Sequence, residues 1–191
     1  MLDISRLITY SVSTFFNRIN FYRKRIFIGD NSTLLGQIQV YNFGNISIGS
    51  SFTLVSKSSY NPLCLNLETV LRTEISARMI IGNNVGISSS IIWAFKEITI
   101  GNHVNIGAGC IVMDSDAHAL KAEDRISNDI KCRVVKPIFI GNNVFIGTRS
   151  LILKGVSIGD NSVIGAGSVV TKSIPANCIA AGNPCKVIRY L

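Results

Sequence analysis

A histidine and two aspartates interrupt the most regular part of this sequence. Residues 100–120 read IGNHVNIGAGCIVMDSDAHAL, and apolar residues six apart give way there to Asp114, Asp116 and His118. The pKa of a histidine lies near neutrality, so His118 can act as a general base that removes a proton from a hydroxyl group. Asp116 can hold the imidazole in the correct tautomer or can begin a loop as a turn residue, and Asp114 is a weaker candidate for that role. The alternative for His118 is a solvated loop histidine.

The second histidine of the chain provides an internal comparison. His103 lies in the sequence IGNHV, which aligns with IGNNV at residues 81–85 and 140–144 and therefore puts His103 in the position of Asn84 and Asn143. Asparagine at such positions tolerates the backbone conformation of tight turns. We predict that His103 is a turn residue without a chemical role.

The element that must position His118 is a repeat. Apolar residues return at every sixth position in the C-terminal half, namely Ile140, Ile146, Ile152, Ile158, Ile164 and Val170. A helix has a period of about 3.6 and a plain strand a period of about 2, whereas a period of six is typical of a β-solenoid, whose short strands each point one apolar residue inward. Three hexads form one coil, so we expect Ile140 and Ile158 to stack about 4.8 Å apart on successive coils.

Interruptions of the repeat divide the chain. The solenoid is predicted over residues 28–174, between an N-terminal segment, residues 1–27, and a C-terminal segment, residues 175–191. The spacing of successive Ile-Gly pairs predicts two loops that leave the solenoid, near residues 56–73 and 114–136. Because a repeat scaffold fixes the position of such loops while their sequences vary, they commonly carry binding groups.

The N-terminal segment predicts one amphipathic helix. Its apolar side chains recur at spacings of three and four: Leu7, Ile8, Val12, Phe15, Phe16, Ile19 and Tyr22. We expect this helix to cover the open edge of the first coil, which would otherwise pair with other chains. The rival role is peripheral contact with a membrane, which a set of basic side chains favours. These are Arg6, Arg18, Arg23, Lys24 and Arg25.

Composition restricts the class of protein. The 191 residues, of which 47% are hydrophobic, predict a single domain with a sizeable core. The five cysteines show neither a CxxC pair nor zinc-finger spacing, which favours a reducing, cytoplasmic setting. No apolar run reaches the roughly 18 residues that span a bilayer. The net charge of +8 indicates a basic surface, but no nucleic-acid-binding motif accompanies it, so we expect no nucleic-acid partner.

The repeat and its C-terminal half resemble a known family. The turn sequences IGDN and IGNN, together with the whole of residues 138–189, resemble the hexapeptide-repeat acyltransferases, closest in pattern to the maltose, galactoside and polysaccharide O-acetyltransferases. This resemblance implies an all-β fold, a left-handed parallel β-helix. It also implies acetyl-CoA as the co-substrate, no metal, and a homotrimer with its active sites between subunits.

The resemblance assigns coenzyme contacts to six positions, Thr148, Ala166, Thr171, Lys172, Lys186 and Arg189. Small residues at the corners would let the extended pantetheine arm run along the solenoid, and the basic side chains would meet the phosphates. The family also has a general-base histidine at the loop entrance that His118 matches. Where the family often has Trp this chain has Phe145, a change that should matter little for packing.

Aromatic residues are the candidates for binding an acceptor. Trp93 and Phe95 fall at a one-residue bulge in the repeat, and aromatic faces pack well against sugar rings, although core or interface packing is the alternative for Trp93. Tyr60 and Asn61 in the first loop are weaker candidates. These residues would suit a carbohydrate acceptor.

Together these observations predict an acetyl-CoA-dependent O-acetyltransferase that acts on a hydroxyl of a sugar, oligosaccharide or polysaccharide precursor, with His118 as general base. Two alternatives stay open, an N-acyltransferase of a nucleotide-linked amino sugar and a non-catalytic structural β-helix. A γ-type carbonic anhydrase has the same solenoid but needs three histidine zinc ligands, whereas this chain has two histidines.

Overall fold

Three parallel sheets enclose one core in the computed structural model, which describes residues 4–65, 67–127 and 130–191. The first face contains β1 (Phe27–Ile28), β4 (Asn45–Ile48), β7 (Arg78–Ile81), β10 (Glu97–Ile100), β15 (Ile138–Ile140) and β18 (Ser157–Ile158). The second face contains β2 (Thr33–Gly36), β5 (Thr53–Ser56), β8 (Gly86–Ser88), β11 (Asn105–Ile106), β16 (Phe145–Ile146), β19 (Val163–Ile164) and β21 (Cys178–Ala181). The third face contains β3 (Ile38–Asn42), β6 (Thr69–Thr73), β9 (Ile91–Ala94), β12 (Ile111–Met113), β17 (Leu151–Leu153) and β20 (Val169–Val170).

Equivalent isoleucines of successive coils lie directly above one another. Ile100 pairs with Ile81 on one side and with Ile140 on the other, and Ile140 pairs with Ile158. All four side chains are buried in a single hydrophobic core. The stacking predicted for Ile140 and Ile158 is therefore confirmed, since one apolar residue from each short strand points inward.

The corners of the solenoid are built from polar turn residues. Asn84, His103 and Asn143 have φ values of 56°, 57° and 56°, so His103 occupies an asparagine turn position as predicted. Side-chain amides connect the corners of adjacent coils, as where Asn142 Oδ1 accepts a hydrogen bond from the backbone N–H of Asn102 at 2.9 Å. These bonds satisfy backbone donors that the turns leave without a strand partner.

The first excursion leaves the solenoid at corner 2–3, the edge between the second and third faces. It covers residues 57–68 and includes a short 3-10 helix, Pro62–Cys64; residue 66 lies outside the described residues. The predicted loop, residues 56–73, is therefore too long at its C-terminal end, because β6 (Thr69–Thr73) belongs to the solenoid and pairs with both β3 and β9. The buried inward positions Thr69 and Thr73 are polar, so they did not extend the apolar repeat.

The second excursion leaves at corner 3–1, between the third and first faces, and lies between β12 and β15, close to the expected residues 114–136. Strands β13 (Ser115–Ala119) and β14 (Arg133–Val135) pair antiparallel as a hairpin. The helix α2 (Ala122–Ile126) and the 3-10 helix Ile130–Cys132 connect them, and residues 128 and 129 lie outside the described residues. The two excursions thus border opposite edges of the third face.

The C-terminal segment continues the solenoid beyond residue 174. Strand β21 extends the second face in parallel, and β22 (Lys186–Tyr190) turns back and pairs antiparallel with it. This last strand covers the edge that β21 would otherwise leave open.

The N-terminal helix α1 (Ile4–Arg23) covers the first coil with hydroxyl and amide side chains and with the buried ring of Phe21. Ser13 Oγ donates to the carbonyl of Leu34 at 3.1 Å, and the backbone N–H of Leu34 donates to Thr14 Oγ1 at the same distance. These polar side chains lie on β2 because it is an edge strand whose backbone groups need hydrogen-bond partners. Leu7 and Ile8 of the predicted apolar face have side chains outside the described part. No described helix is long and apolar enough to cross a membrane.

Candidate active site

His118 lies on β13, and the hairpin exposes its side chain at corner 3–1. Within the described part of the chain its imidazole has no hydrogen-bond or ion-pair partner. The strand is fixed on both sides of it, since Ser115 pairs with Val135 and Ala119 pairs with Arg133. Ser115 Oγ also accepts the N–H of Ala117 at 3.0 Å. Ala117 has a left-handed φ of 61°. The hairpin therefore presents an imidazole that is able to accept a proton.

Asp114, immediately before β13, is buried and bonds to the preceding coil. Its carboxylate accepts the backbone N–H groups of Phe95, Lys96 and Glu97 at 2.6, 2.8 and 2.7 Å. We expected the chain to have left the core here, but Asp114 and Ser115 are both buried. Burial raises the pKa of the Asp114 carboxyl, while the three N–H donors act in the opposite direction. Asp114 anchors the hairpin and does not face a substrate.

Asp116 forms an ion pair with Lys154, a partner that the sequence did not indicate. Lys154 Nζ donates to Asp116 Oδ1 from the next coil, and both side chains are mostly buried. Among the described residues, Asp116 Oδ2 is buried without a hydrogen-bond partner, and no hydrogen bond joins Asp116 to His118. Asp116 is thus held beside the candidate base by Lys154 and retains one unused acceptor oxygen.

A column of small residues forms corner 2–3. A side chain at Gly147 would place its Cβ 2.5 Å from the Ala166 nitrogen, and one at Gly165 would place it 2.7 Å from Ala181 Cβ. The corner therefore has room only for glycine at these positions. Ala166 is exposed, and the hydroxyl of Thr148 donates to the carbonyl of Ala108 on the coil below. The result is an open ledge along which an extended ligand can lie.

The six predicted coenzyme positions are divided between two edges of the third face. Thr148 and Ala166 stack at corner 2–3, and Lys186 is close to them because it pairs with Ala181 above Gly165. Thr171 and Lys172 are instead exposed at corner 3–1, immediately after β20. Arg189 is exposed on β22, paired with Ile179. A single chain does not gather these residues around one point.

Trp93 points outward from the third face and joins a cluster of aromatic and charged groups. Its ring stacks on Phe95 with centroids 4.8 Å apart, and its Nε1 donates to Glu74 Oε1 at 2.9 Å. The Arg72 guanidinium lies 4.7 Å from the Trp93 ring centroid and pairs with Glu74. Arg133 of the hairpin lies 5.0 Å from the Phe95 ring centroid. The cluster therefore extends from the third face to the hairpin that carries the candidate base.

Tyr60 and Asn61 have contacts within the chain at the other edge. The Tyr60 ring packs edge-on against Tyr10 of α1, with centroids 5.2 Å apart. Asn61 Oδ1 accepts the N–H of Leu63 at 3.1 Å, and Asn61 Nδ2 donates to Ser88 Oγ at 3.2 Å. Both contacts order the first excursion at corner 2–3, whereas the candidate base lies at corner 3–1.

A shallow groove of about 490 Å³ runs along the outer surface of the second face. Its lining includes Thr53, Ser88, Asn105 and Phe145. Phe145 is half exposed there, in line with Asn105 on the neighbouring coil. None of the residues predicted to bind an acceptor lines this groove.

The outer surface of the third face carries a column of apolar side chains. One outward column, read from the strand pairings, consists of Val70, Ile91, Ile111, Leu151 and Val169. Exposed apolar side chains also lie on the excursions at either edge, with Leu63, Leu65 and Leu67 on the first and Leu120 and Ile126 on the second. Apolar residues on both sides of an exposed apolar face are typical of a surface that contacts another protein.

Known proteins with similar sequences agree with this architecture. A sequence model described as hexapeptide repeat of succinyl-transferase matches residues 137–172. Protein CapG of Staphylococcus aureus is 50% identical over 97 residues, which cover 49% of this chain and 53% of CapG. Galactoside O-acetyltransferase of Escherichia coli (strain K12) is 49% identical over 94 residues, covering 49% of this chain and 44% of that protein. The chain thus spans about half the length of these curated relatives.

A solved structure extends the similarity to almost the whole chain. The structure of galactoside acetyltransferase in complex with coenzyme A is 30% identical in sequence, with a TM-score of 0.57. The similarity covers 91% of this chain and 69% of that one. The predicted left-handed parallel β-helix is confirmed. The chain belongs to the hexapeptide-repeat acetyltransferase family.

Proposed function

We propose that this protein is an acetyl-CoA-dependent O-acetyltransferase whose acceptor is a hydroxyl of a sugar, oligosaccharide or polysaccharide precursor. The observation that carries the proposal is the exposed imidazole of His118, held on an anchored hairpin at one edge of the apolar third face. The relative named galactoside O-acetyltransferase supports a sugar hydroxyl as the acceptor.

His118 supplies the acid–base chemistry of this reaction. Its imidazole takes the proton of the acceptor hydroxyl as the acceptor oxygen bonds to the acetyl carbon. The imidazolium then returns that proton to the sulfur as the carbon–sulfur bond breaks, so the enzyme ends in its starting protonation state. General base catalysis of this kind contributes about 10²–10⁴-fold to a rate.

Asp116 and Lys154 support the base without contacting the reacting atoms. Lys154 neutralises one oxygen of Asp116 and fixes the carboxylate two residues from His118. The ion pair thereby ties the strand that carries His118 to the solenoid. Asp114 is a second positioning residue, because its three hydrogen bonds fix the start of the same hairpin.

Coenzyme A fits the ledge at corner 2–3. The glycines of this corner keep side chains away from the ledge, so an extended pantetheine arm can approach the backbone beside Thr148 and Ala166. Lys186, exposed above the same corner, provides a positive charge for a phosphate. Thr171 and Lys172 lie across the third face from this ledge and would reach a coenzyme held by another copy.

A homotrimer completes the site in this proposal. In one chain His118 and the ledge border opposite edges of the third face, so neither reaches the other. Cyclic packing of three copies through their third faces would cover the apolar columns and bring the hairpin of one copy to the ledge of its neighbour. Exposed leucines on the first excursion and Leu120 on the second lie along the edges that would meet.

The test of the proposed activity is a transfer assay with paired acceptors. The purified protein is incubated with acetyl-CoA and a panel of sugars that carry either hydroxyl groups alone or a nucleotide-linked amino group, and release of the free thiol is measured. Ester formation on hydroxyl acceptors is expected. Amide formation alone would instead make the protein an N-acyltransferase, and absence of both transfer and acetyl-CoA binding would leave a structural β-helix.

A further inference from the structure

The rotation of α1 about its own axis is fixed by hydrogen bonds. Ser13 and Thr14 bond to the backbone of Leu34, and Asn17 Nδ2 donates to the carbonyls of Leu34 and Gly36 at 3.2 and 3.1 Å. These bonds occupy the open edge of β2. The opposite face of the helix is therefore turned away from the solenoid.

That outer face of α1 is apolar and aromatic. Its described members, spaced three or four residues apart, are Val12, Phe15, Phe16, Ile19 and Tyr22. Phe15, Phe16 and Tyr22 are 62%, 64% and 84% exposed, and the two phenylalanine rings contact each other edge-on. Exposed aromatic side chains in one stripe are unfavourable in water, so this face is suited to contact a less polar environment.

Helix α1 and the residues that follow it carry charge of one sign. Between Ile4 and Gly29 the sequence contains five basic residues and no aspartate or glutamate. Arg23, Lys24 and Arg25 are exposed at the C-terminal end of α1. A second copy of the helix would carry the same charges and repel its partner, whereas anionic headgroups would be attracted.

We propose that the outer face of α1 docks on a membrane surface that contains anionic lipids. The helix would lie in the plane of the interface, with Phe15, Phe16 and Tyr22 inserted at the headgroup level, where aromatic side chains are favoured. Arg23 and Lys24 would contact the lipid phosphates. This inference does not depend on the acetyl transfer reaction, since none of these residues belongs to the proposed site.

Vesicle co-sedimentation of the full chain tests this docking. The probes are vesicles of phosphatidylglycerol mixed with phosphatidylcholine, and vesicles of phosphatidylcholine alone. Binding to the anionic vesicles is expected, and it should weaken as salt is added. Replacing Phe15 and Phe16 together by Ser should reduce partitioning by about tenfold or more, because two inserted rings are lost.

Two further variants make the test specific. Arg23→Gln combined with Lys24→Gln should lower partitioning on the order of tenfold and reduce its dependence on salt. Phe139→Ser removes a phenylalanine that is 45% exposed on the first face and should leave partitioning unchanged. Thermal unfolding of each variant checks that the solenoid is intact.

Three outcomes would overturn the inference. The first is no difference between anionic and neutral vesicles, and the second is full binding by the Phe15→Ser, Phe16→Ser variant. The third is a mass in light scattering, without vesicles, that is larger for the wild type than for that variant. In the third case a second copy of the protein, and not a membrane, covers the helix.

Discussion

Asp116, two residues before the candidate base, is paired with Lys154 of the following coil. The pair links the excursion to the rigid solenoid at the point where the hairpin begins. The second carboxylate oxygen of Asp116 is buried and has no hydrogen-bond partner among the described residues. Lys154 therefore positions Asp116, and this role can be distinguished by experiment from a role in folding.

Lys154→Met should lower kcat by roughly tenfold while leaving KM for acetyl-CoA unchanged, because the Asp116 carboxylate loses its partner and no longer holds a fixed position. Lys154→Arg should restore most of the activity, since it keeps the positive charge. Steady-state kinetics of the two variants measure this. Equal loss in both variants, together with lower stability, would indicate that Lys154 is needed only for folding.

Asp114→Asn should destabilise the protein by about 1–3 kcal/mol, because an amide can accept fewer of the three N–H bonds that the carboxylate receives. Loss of this anchor should also reduce kcat without changing KM for acetyl-CoA. Asp160→Asn is the matched control, since the Asp160 carboxylate accepts the backbone N–H of Asn142 at an exposed corner. Denaturant unfolding should show a clearly smaller effect for Asp160→Asn, and equal effects would contradict the anchoring role.

Lys172→Ala and Arg189→Ala should raise KM for acetyl-CoA far more than they lower kcat. Contacts to the phosphates act equally in the ground state and the transition state, so their loss weakens binding and leaves chemistry unaffected. Lys186→Ala should behave in the same way. Lys24→Ala, at the opposite end of the solenoid, is the control. An unchanged KM in all three test variants would show that the coenzyme lies elsewhere.

Much of this architecture could be predicted from the sequence because the repeat is a local pattern. The sixfold spacing correctly stacked Ile140 on Ile158, and alignment of IGNHV with IGNNV put His103 at a turn. Strand β6 was missed because Leu71 is its one apolar inward residue, whereas Thr69 and Thr73 on either side of it are polar. The repeat identifies a strand only where its apolar residues keep the sixfold spacing.

Contacts between distant parts of the chain could not be predicted in this way. Lys154 is 38 residues from Asp116, and no spacing rule connects an excursion to the coil that follows it. The rotation of α1 about its axis could not be predicted either, because it is fixed by hydrogen bonds from Ser13 and Thr14 to the edge of β2. The unpaired backbone N–H and C=O groups of this edge strand determine which face of the helix is turned inward.

A site shared between copies makes a prediction for mixed trimers. His118→Ala removes the base, Ala166→Trp blocks the ledge, and each variant alone should be inactive. Equal co-expression should restore about a quarter of wild-type activity, because one interface in four would combine an intact hairpin with an intact ledge from the neighbour. Light scattering should give the mass of a trimer. No recovery of activity in mixed trimers would contradict a site built from two copies.

The most direct measurement of the central claim is the rate of acetyl transfer by His118→Ala, compared with His103→Asn. The first variant should lose roughly 10²–10⁴-fold in kcat with its fold and acetyl-CoA affinity intact, because His118 carries the proton. The second should retain the wild-type rate and stability, since His103 occupies a turn position that asparagine fills in other coils. Wild-type activity in His118→Ala, or a large loss in His103→Asn, would contradict the assignment of the base.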